Sequence, residues 1–237
     1  MLDRIVVVSP HFDDAALGAS HLLGANPGST VITVCAGKPP QYPDEPTEWD
    51  ALGGFEPGDD VVELRRQEDS AAMAVLGAGP VWLDFVDWQY ETPRATPEQV
   101  AEALEPALRS VRPTAVFVPM GIANPDHELT HDGARLVIDR MPDVAWFAYE
   151  DSGYKHIPGM LAWRISKLFR SGLWPTPAVV PAPPDPERKR RAMECYKSQL
   201  GPLERDHALS TRLAAPVPEQ YWRLAPSPKG WERLTER

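Results

Sequence analysis

Short apolar runs rich in Val and Ile alternate along the chain with segments in which apolar residues recur every three or four positions. The runs predict strands and the periodic segments predict helices. This alternation favours an α/β fold: a single Rossmann-like domain over residues 1–237, with a mostly parallel sheet flanked by helices on both faces. The predicted strands are Ile5–Val8, Val31–Val34, Val81–Val86, Ala115–Val118 and Val144–Ala148. The predicted helices are Asp14–Leu23, Val61–Leu76, Pro97–Ser110 and His127–Asp139.

Three stretches interrupt this pattern. Residues 37–60 are dense in Pro, Gly and acidic residues and predict a long loop, which in a compact domain is usually functional or disordered. Residues 170–186 are rich in Pro and predict an extended connector. Residues 200–237 mix Pro with aromatic residues, among them Trp222 and Trp231, and predict a tail that wraps over the domain.

Charge and cysteine content narrow the range of partners. The 237 residues carry a net charge of -10, which argues against a nucleic acid or an anionic lipid surface as a partner. No apolar run approaches the roughly 20 residues that span a membrane, and the N-terminus does not resemble a signal peptide. The two cysteines, Cys35 and Cys195, lie in unlike contexts and predict free thiols in a reducing cytoplasm. A homo-oligomer stays open.

Three ionisable side chains, His11, Asp13 and Asp14, follow the first predicted strand at the turn into the first helix. In open α/β sheets, ligands bind beyond the carboxyl ends of the strands. A helical turn places His11 and Asp14 on one face, and imidazole with carboxylate suits zinc. The alternative is that Asp13 or Asp14 only caps the helix. This motif alone leaves both interpretations open.

A second polar cluster, Asn124, Asp126 and His127, follows the fourth predicted strand. On a doubly wound plan the first and fourth strands can be neighbours, so His11, Asp14 and His127 would meet in one crevice. Three protein ligands that leave a position for water are the pattern of a catalytic zinc site. Asp126 would then fix the ring orientation of a ligand. The alternative is a polar loop with a solvated histidine.

The segment from His127 to His131 reads H-E-L-T-H, which also fits the H-E-x-x-H signature of zinc metallopeptidases. In that alternative His127 and His131 bind the metal and Glu128 is the general base. It leaves the first cluster unused, and it places the motif at a helix start within an alternating strand–helix chain. Both hypotheses put His127 on the metal, and they differ over Asp14 against His131.

Residues 10–14 (PHFDD) and 124–127 (NPDH) resemble the two motifs of the LmbE/PIG-L family of zinc-dependent N-deacetylases. Weaker similarities extend from about residue 4 to residue 200. The run 65–68 resembles the family's R-x-x-E helix, Tyr149-Glu150 ends the fifth strand as in many members, and 189–199 resembles a late K…SQ helix.

The resemblance implies that His11, Asp14 and His127 hold one zinc ion and that Asp13 is the general base for a metal-activated water. It implies hydrolysis of an N-acyl group, most often N-acetyl, from an amino sugar, from its glycoside, or from a related small-molecule amide. Zinc makes hydroxide available at neutral pH by lowering the pKa of its water. Iron, cobalt or manganese could occupy such a site too.

One departure from the family concerns Asn124, where many members have a histidine thought to stabilise the oxyanion or protonate the leaving group. Asn can donate a hydrogen bond to an oxyanion but has no proton to transfer. Asn124 and Asp126 therefore join Asp13 as predicted catalytic residues, and the acid role falls on Asp13 or His131. The same departure keeps open a non-catalytic, metal-binding member of the fold.

Two charged residues are candidates for substrate contacts. Arg65, in the R-x-x-E helix, could bind a polar or anionic group, or it could be a solvated helix charge. Asp87 follows the third predicted strand and could bind sugar hydroxyls, or it could cap a loop. Four aromatic residues in predicted loops could wall a pocket: Trp49, Trp88, Tyr90 and Trp174.

Overall fold

The computed structural model describes residues 3–90, 93–214, 218–228 and 230. The strands are β1 (Ile5–Ser9), β2 (Thr30–Thr33), β3 (Gly79–Trp82), β4 (Ala115–Pro119), β5 (Ala145–Tyr149), β6 (Leu173–Ala178) and β7 (Tyr221–Pro226). The helices are α1 (Asp14–Ala25), α2 (Glu48–Leu52), α3 (Val61–Leu76), α4 (Pro97–Val111), α5 (Pro125–Ile138), α6 (Met160–Arg170), α7 (Pro186–Met193), α8 (Lys197–His207) and α9 (Leu209–Ala214). A short 3₁₀ turn covers Trp88–Tyr90.

The seven strands form one sheet in the order β3-β2-β1-β4-β5-β7-β6. The pairs among β1 to β5 are parallel, and β7 runs antiparallel to both β5 and β6. This confirms the predicted α/β class with a mostly parallel sheet. The order reverses between β1 and β4, whose pairing sets Ile5 beside Ala115. A crevice therefore opens beyond the carboxyl ends of these two strands, where α/β proteins bind ligands.

Side chains of the central strands alternate between two buried clusters, one on each face of the sheet. Ile5 and Val7 belong to the cluster covered by α1, α3 and α7, while Val6 and Val8 belong to the one covered by α4 and α5. Burial on both faces is the reason why β1 reads as an unbroken apolar run. None of the described helices is long and apolar enough to cross a bilayer.

Two of the differences between predicted and observed element boundaries bear on the crevice. The third strand ends at Trp82 instead of Val86, so the apolar residues beyond it lie in a loop that leads to the crevice. The fifth helix begins at Pro125, two residues before the predicted start, with Asn124 as its N-cap. Proline fits the first helical position because its missing N–H would have no partner there.

The Pro-rich segment 170–186 and the tail 200–237, predicted as a connector and a wrapping tail, contain the strands β6 and β7. β6 carries Pro175 and Pro177 and lies at the edge of the sheet, where proline is tolerated. β7 inserts between β5 and β6, so Trp222 belongs to the sheet. Trp231 lies outside the described residues.

Helix α1 is kinked at Ala19, and residues far along the chain satisfy the backbone groups that the kink frees. The Glu219 carboxylate accepts the N–H of His21 at 3.1 Å. Lys189 donates to the carbonyl of Leu17 at 2.5 Å and reaches Glu219 at 3.4 Å. Buried backbone groups need such partners, which gives the lysine of the 189–199 motif a structural role.

The buried carboxyl of Asp69 makes stability depend on pH. It accepts hydrogen bonds from Trp82 (2.7 Å) and Tyr196 (2.8 Å), and burial raises its pKa from 3.8 to about 6. Because the folded pKa is the higher one, the free energy of unfolding falls as pH rises from about 4 to 6. At 1.36 kcal/mol for each pKa unit the full effect is about 3 kcal/mol, but the unfolded carboxyl is already about half ionised at pH 4, so wild type should lose about 2 kcal/mol relative to Asp69→Asn between pH 4 and 7. Urea denaturation of both metal-free proteins at the two pH values measures this difference. Parallel pH profiles would contradict it.

Candidate metal centre

The turn after β1 and the first turn of α5 bring His11, Asp14 and His127 together. The Oδ2 of Asp14 lies 3.1 Å from Nδ1 of His11 and 3.2 Å from Nε2 of His127. The two imidazole rings are 5.3 Å apart between centroids. One potential ligand atom from each of the three residues lies within 4.8 Å of the others. The convergence expected from the strand order is therefore present.

Local hydrogen bonds shape the turn that carries the first motif. Ser9 donates from Oγ to the carbonyl of His11 at 2.6 Å and accepts the N–H of Ala15 at 3.0 Å. Asp13 occupies the N-cap position of α1, but its side chain makes no capping hydrogen bond. The carboxylate of Asp14 accepts the N–H of His11 at 3.0 Å. Asp13 thus remains available for another role.

A carboxylate holds the second nitrogen of each histidine. Nε2 of His11 lies 3.1 Å from Asp126, which also accepts the N–H of Trp88 at 3.0 Å. Nδ1 of His127 lies 2.5 Å from Asp151, which is buried and bound to backbone N–H groups after β4. Metal-binding histidines are usually oriented in this way. Asp151 was not predicted as a site residue, although it stands just beyond β5, as the other two clusters stand just beyond β1 and β4.

The charges of this cluster are mutually dependent. Burial and the adjacent Asp14 charge raise the pKa of Asp13 to about 7. Burial alone would lower the pKa of His127, but the carboxylates of Asp14 and Asp151 outweigh it and raise the value to about 9. Burial opposes ionisation of Asp14, yet His127 and His11 hold its pKa well below the usual range. A cation must compete with protons for the two histidines, so metal binding should weaken as pH falls.

Two groups among the described residues have the composition and spacing of a metal site. The first is His11, Asp14 and His127; the second is His11, Cys35 and Asp126. Cysteine binds metals as the thiolate, and burial together with Asp126 raises the pKa of Cys35 well above its usual value. The first group offers two imidazole nitrogens and a carboxylate oxygen, which fits a zinc site with an open position.

The structure does not bring His131 or Glu128 to this cluster. His131 is fully buried, with Nδ1 2.7 Å from the carbonyl oxygen of Pro119, and Glu128 accepts a hydrogen bond from Lys167 at 3.1 Å. One helical turn advances about 5.4 Å along the axis, so His131 lies deeper in the fold than His127. The described residues therefore do not form the metal site of the metallopeptidase hypothesis. His131 is also absent from the described cavity lining, which does not support it as the general acid.

A cavity of about 340 Å³ adjoins the cluster, within the usual range of roughly 300–1,000 Å³ for small-molecule sites. Asp13 lines it beside the two histidines, and Trp49 and Trp88 contribute aromatic walls. Trp49 belongs to α2, so the 37–60 segment is partly helical and forms part of this wall. Trp174, which the sequence analysis grouped with these aromatic residues, lies instead in β6 against Phe169.

The two predicted substrate-contact residues line the cavity but also have protein partners. Arg65 is buried and donates to Asp50 at 2.7 Å, and Tyr90 donates to the other oxygen of Asp50 at 3.0 Å. Asp87 accepts hydrogen bonds from the backbone and side chain of Gln89 at 3.1 and 2.8 Å. Both residues shape the wall, and contact with a substrate stays a prediction for each.

Asn124 makes two hydrogen bonds within the protein that its sequence position did not predict. Its Oδ1 accepts the N–H of Asp126 at 2.8 Å and caps α5. Its Nδ2 donates to the hydroxyl of Tyr154 at 3.2 Å. Tyr154 lines the cavity, and its ring meets that of His127 edge-on with the centroids 5.3 Å apart. No sequence signal marked Tyr154, because it lies in a segment without a recognisable motif.

Replacing Asp151 by Asn should weaken metal binding about 10- to 100-fold. This is the usual effect of removing a carboxylate that hydrogen-bonds the second ring nitrogen of a metal-binding histidine. Asn keeps the size of the side chain but removes the charge beside Nδ1 of His127. Competition with a chromogenic chelator measures the zinc affinity. The matched control is Asp84→Asn, whose carboxylate is 92% exposed and outside the cluster. Equal zinc affinity for wild type and Asp151→Asn would contradict the prediction.

Comparisons with known proteins bear on this site. The model of the PIG-L family, described as GlcNAc-PI de-N-acetylase, matches residues 6–138. No curated protein matches the sequence.

Three solved structures share the fold over nearly the whole chain. A triple mutant of a deacetylase of the teicoplanin biosynthetic pathway is 26% identical, with a TM-score of 0.77 over 96% of this chain and 100% of that one. The A40926 pseudoaglycone deacetylase Dbv21 is 27% identical, with a TM-score of 0.72 over 95% and 98% of the two chains. A 4-carboxy-2-hydroxymuconate hydratase from Pseudomonas putida is 18% identical, with a TM-score of 0.57 over 96% and 95%. The last likeness concerns the fold alone.

Proposed function

Because the chain belongs to the PIG-L family of GlcNAc-PI de-N-acetylases, we propose that it is a metal-dependent hydrolase that removes an N-acyl group, most often N-acetyl, from a small-molecule amide. One observation carries the proposal: His11, Asp14 and His127 converge at a cavity that Asp13 also lines. Fold likeness alone would not carry it, because a hydratase shares the fold.

One divalent cation would be held by Nδ1 of His11, Oδ2 of Asp14 and Nε2 of His127. Each histidine presents that nitrogen towards Asp14 while a carboxylate holds the other nitrogen. The donor set suits zinc best, although iron, cobalt and manganese accept the same ligands. When bound, the cation polarises the acyl carbonyl and makes a coordinated water more acidic.

Asp13 is the general base of the proposed reaction. It accepts a proton from the attacking water as the water oxygen bonds to the acyl carbon, and it returns that proton to the amine nitrogen as the C–N bond breaks. The products are a carboxylic acid and a free amine. Three features support this role: Asp13 lines the cavity, makes no capping hydrogen bond, and has a pKa raised to about 7.

The proposed substrate is an N-acetylated amino sugar or its glycoside. Two similar structures, at 26% and 27% identity, are deacetylases of the teicoplanin pathway and of the A40926 pseudoaglycone. The cavity has the volume of a small-molecule site, and its aromatic walls at Trp49 and Trp88 suit the apolar faces of sugar rings. Asp87 stands at the same wall and can accept hydrogen bonds from hydroxyl groups.

Amine release from a panel of N-acetylated amino sugars and their glycosides tests this function. Zinc-loaded wild type should release amine from at least one member, chelation should abolish release, and added zinc should restore it. Bound metal is quantified in the same samples. Stoichiometric zinc without release from any panel member would contradict the proposed activity and favour a metal-binding, non-catalytic member of the fold.

A further inference from the structure

The hydrogen bonds around Asn124 have a fixed direction. The side-chain oxygen is identified by its partner, because the N–H of Asp126 can only donate. The other end of the amide is therefore NH₂, which can only donate, so the oxygen of Tyr154 accepts from it. One side chain thus caps α5 and orients the hydroxyl of Tyr154.

This direction leaves the hydroxyl proton of Tyr154 available. A phenol has one O–H, and the bond from Asn124 occupies its oxygen as an acceptor, not its proton. Within the described part of the chain, no group accepts that proton. Because Tyr154 lines the cavity, it offers a hydrogen-bond donor to a bound molecule.

The ring of Tyr154 is held beside the metal cluster. It meets His127 edge-on, with centroids 5.3 Å apart and planes at 88°, and it meets His207 in the same way at 5.2 Å and 85°. The two imidazoles restrict the ring, and Asn124 fixes the hydroxyl. Such preorganisation is what a catalytic hydrogen-bond donor requires.

Hydrolysis of an amide places negative charge on the former carbonyl oxygen, and donors aimed at that oxygen lower the barrier. The NH₂ group of Asn124 was the sequence-based candidate for this role, but its described partner is Tyr154. We propose that the hydroxyl of Tyr154, oriented by Asn124, donates a hydrogen bond to this oxyanion. The inference rests on the proposed function. The phenol keeps its proton throughout, and proton transfer remains with Asp13.

Tyr154→Phe removes the hydroxyl and keeps the ring between the two imidazoles. Loss of one oxyanion donor should lower kcat about 10²- to 10³-fold, with KM changed less than about twofold and bound zinc unchanged. Tyr42→Phe is the matched control, because Tyr42 lies outside the cavity and donates to Asp60. A kcat for Tyr154→Phe equal to that of the control would overturn the inference and leave the proposed function intact.

Asn124→Asp separates orientation of the hydroxyl from capping of α5. The new carboxylate can still accept the N–H of Asp126, so the cap is kept, but its second oxygen accepts the proton of Tyr154 and turns the hydroxyl away from the substrate. The loss of kcat should approach that of Tyr154→Phe. Adding Asn124→Asp to Tyr154→Phe should then cost little more. Equal costs of Asn124→Asp in the two backgrounds would overturn the orienting role.

A binding measurement tests the same hydroxyl without turnover. Methylphosphonate resembles the tetrahedral arrangement of oxygens on an attacked acetyl group, and its affinity for zinc-loaded protein can be measured by calorimetry. Tyr154→Phe should weaken its binding at least about tenfold relative to wild type, whichever amide is the substrate. If wild type releases no amine from the panel, the proposed function fails. The difference in affinity between wild type and Tyr154→Phe would still show that the hydroxyl of Tyr154 donates a hydrogen bond to the bound anion. Equal affinities, or no binding to either protein, would overturn the inference.

Discussion

Asp14→Asn is expected to lose stoichiometric zinc and measurable amine release, whereas His131→Asn keeps both. Oδ2 of Asp14 lies 3.1 Å from Nδ1 of His11 and 3.2 Å from Nε2 of His127, so the neutral replacement removes the only charged ligand of the proposed set. The loss of affinity should exceed the 10- to 100-fold expected when an outer carboxylate is removed. His131 instead faces the carbonyl of Pro119, and Asn can donate to the same oxygen.

Metal content after gel filtration, measured by mass spectrometry, distinguishes the two variants. Near-ultraviolet circular dichroism shows that each is folded before its zinc is compared with that of wild type. The opposite pattern, with zinc kept by Asp14→Asn and lost by His131→Asn, would establish the H-E-x-x-H arrangement in its place.

Asp13→Asn should keep zinc and lose about 10²- to 10⁴-fold in kcat, the usual contribution of a general acid–base group. Asn has nearly the same shape as Asp but cannot take the proton of the attacking water. Since the side chain of Asp13 makes no capping hydrogen bond, the substitution should leave the start of α1 intact. Steady-state amine release with the best panel substrate measures the effect, with bound zinc quantified in parallel.

Asp84→Asn is again the control, because that carboxylate is exposed and is not part of the described cavity lining. A wild-type kcat in Asp13→Asn would remove Asp13 from the mechanism. Loss of zinc from the same variant would instead assign it a role in holding the metal.

The sequence alone predicted the central sheet, and the reason is burial. Strands β1, β4 and β5 lie within a sheet that is covered on both faces, so they are continuous apolar runs. Such runs can be recognised in the sequence without knowing which strands pair with them. His11, Asp14 and His127 stand just beyond two of these strands, and they meet because β1 and β4 are neighbours at the point where the strand order reverses.

Other features depended on contacts between distant parts of the chain. β7 pairs with both β5 and β6, and this pairing stabilises the two late strands. Their sequences are interrupted by Pro or lack a clear alternation, so they do not predict strands. Arg65 reads as a solvated charge until Asp50 is placed 2.7 Å from it. A polar side chain can bind a ligand, a helix end or another side chain. Its partner is the group that the packing of the folded chain places opposite it.

The candidate metal centre shows the same division. Its three predicted ligands follow from residue type and strand order, which local sequence and topology determine. The carboxylate that holds His127 and the hydroxyl bound by Asn124 come from Asp151 and Tyr154, 24 and 30 residues further along the chain. Hydrogen bonds form between whichever groups the tertiary structure brings within about 3 Å, so only the folded chain could assign these partners.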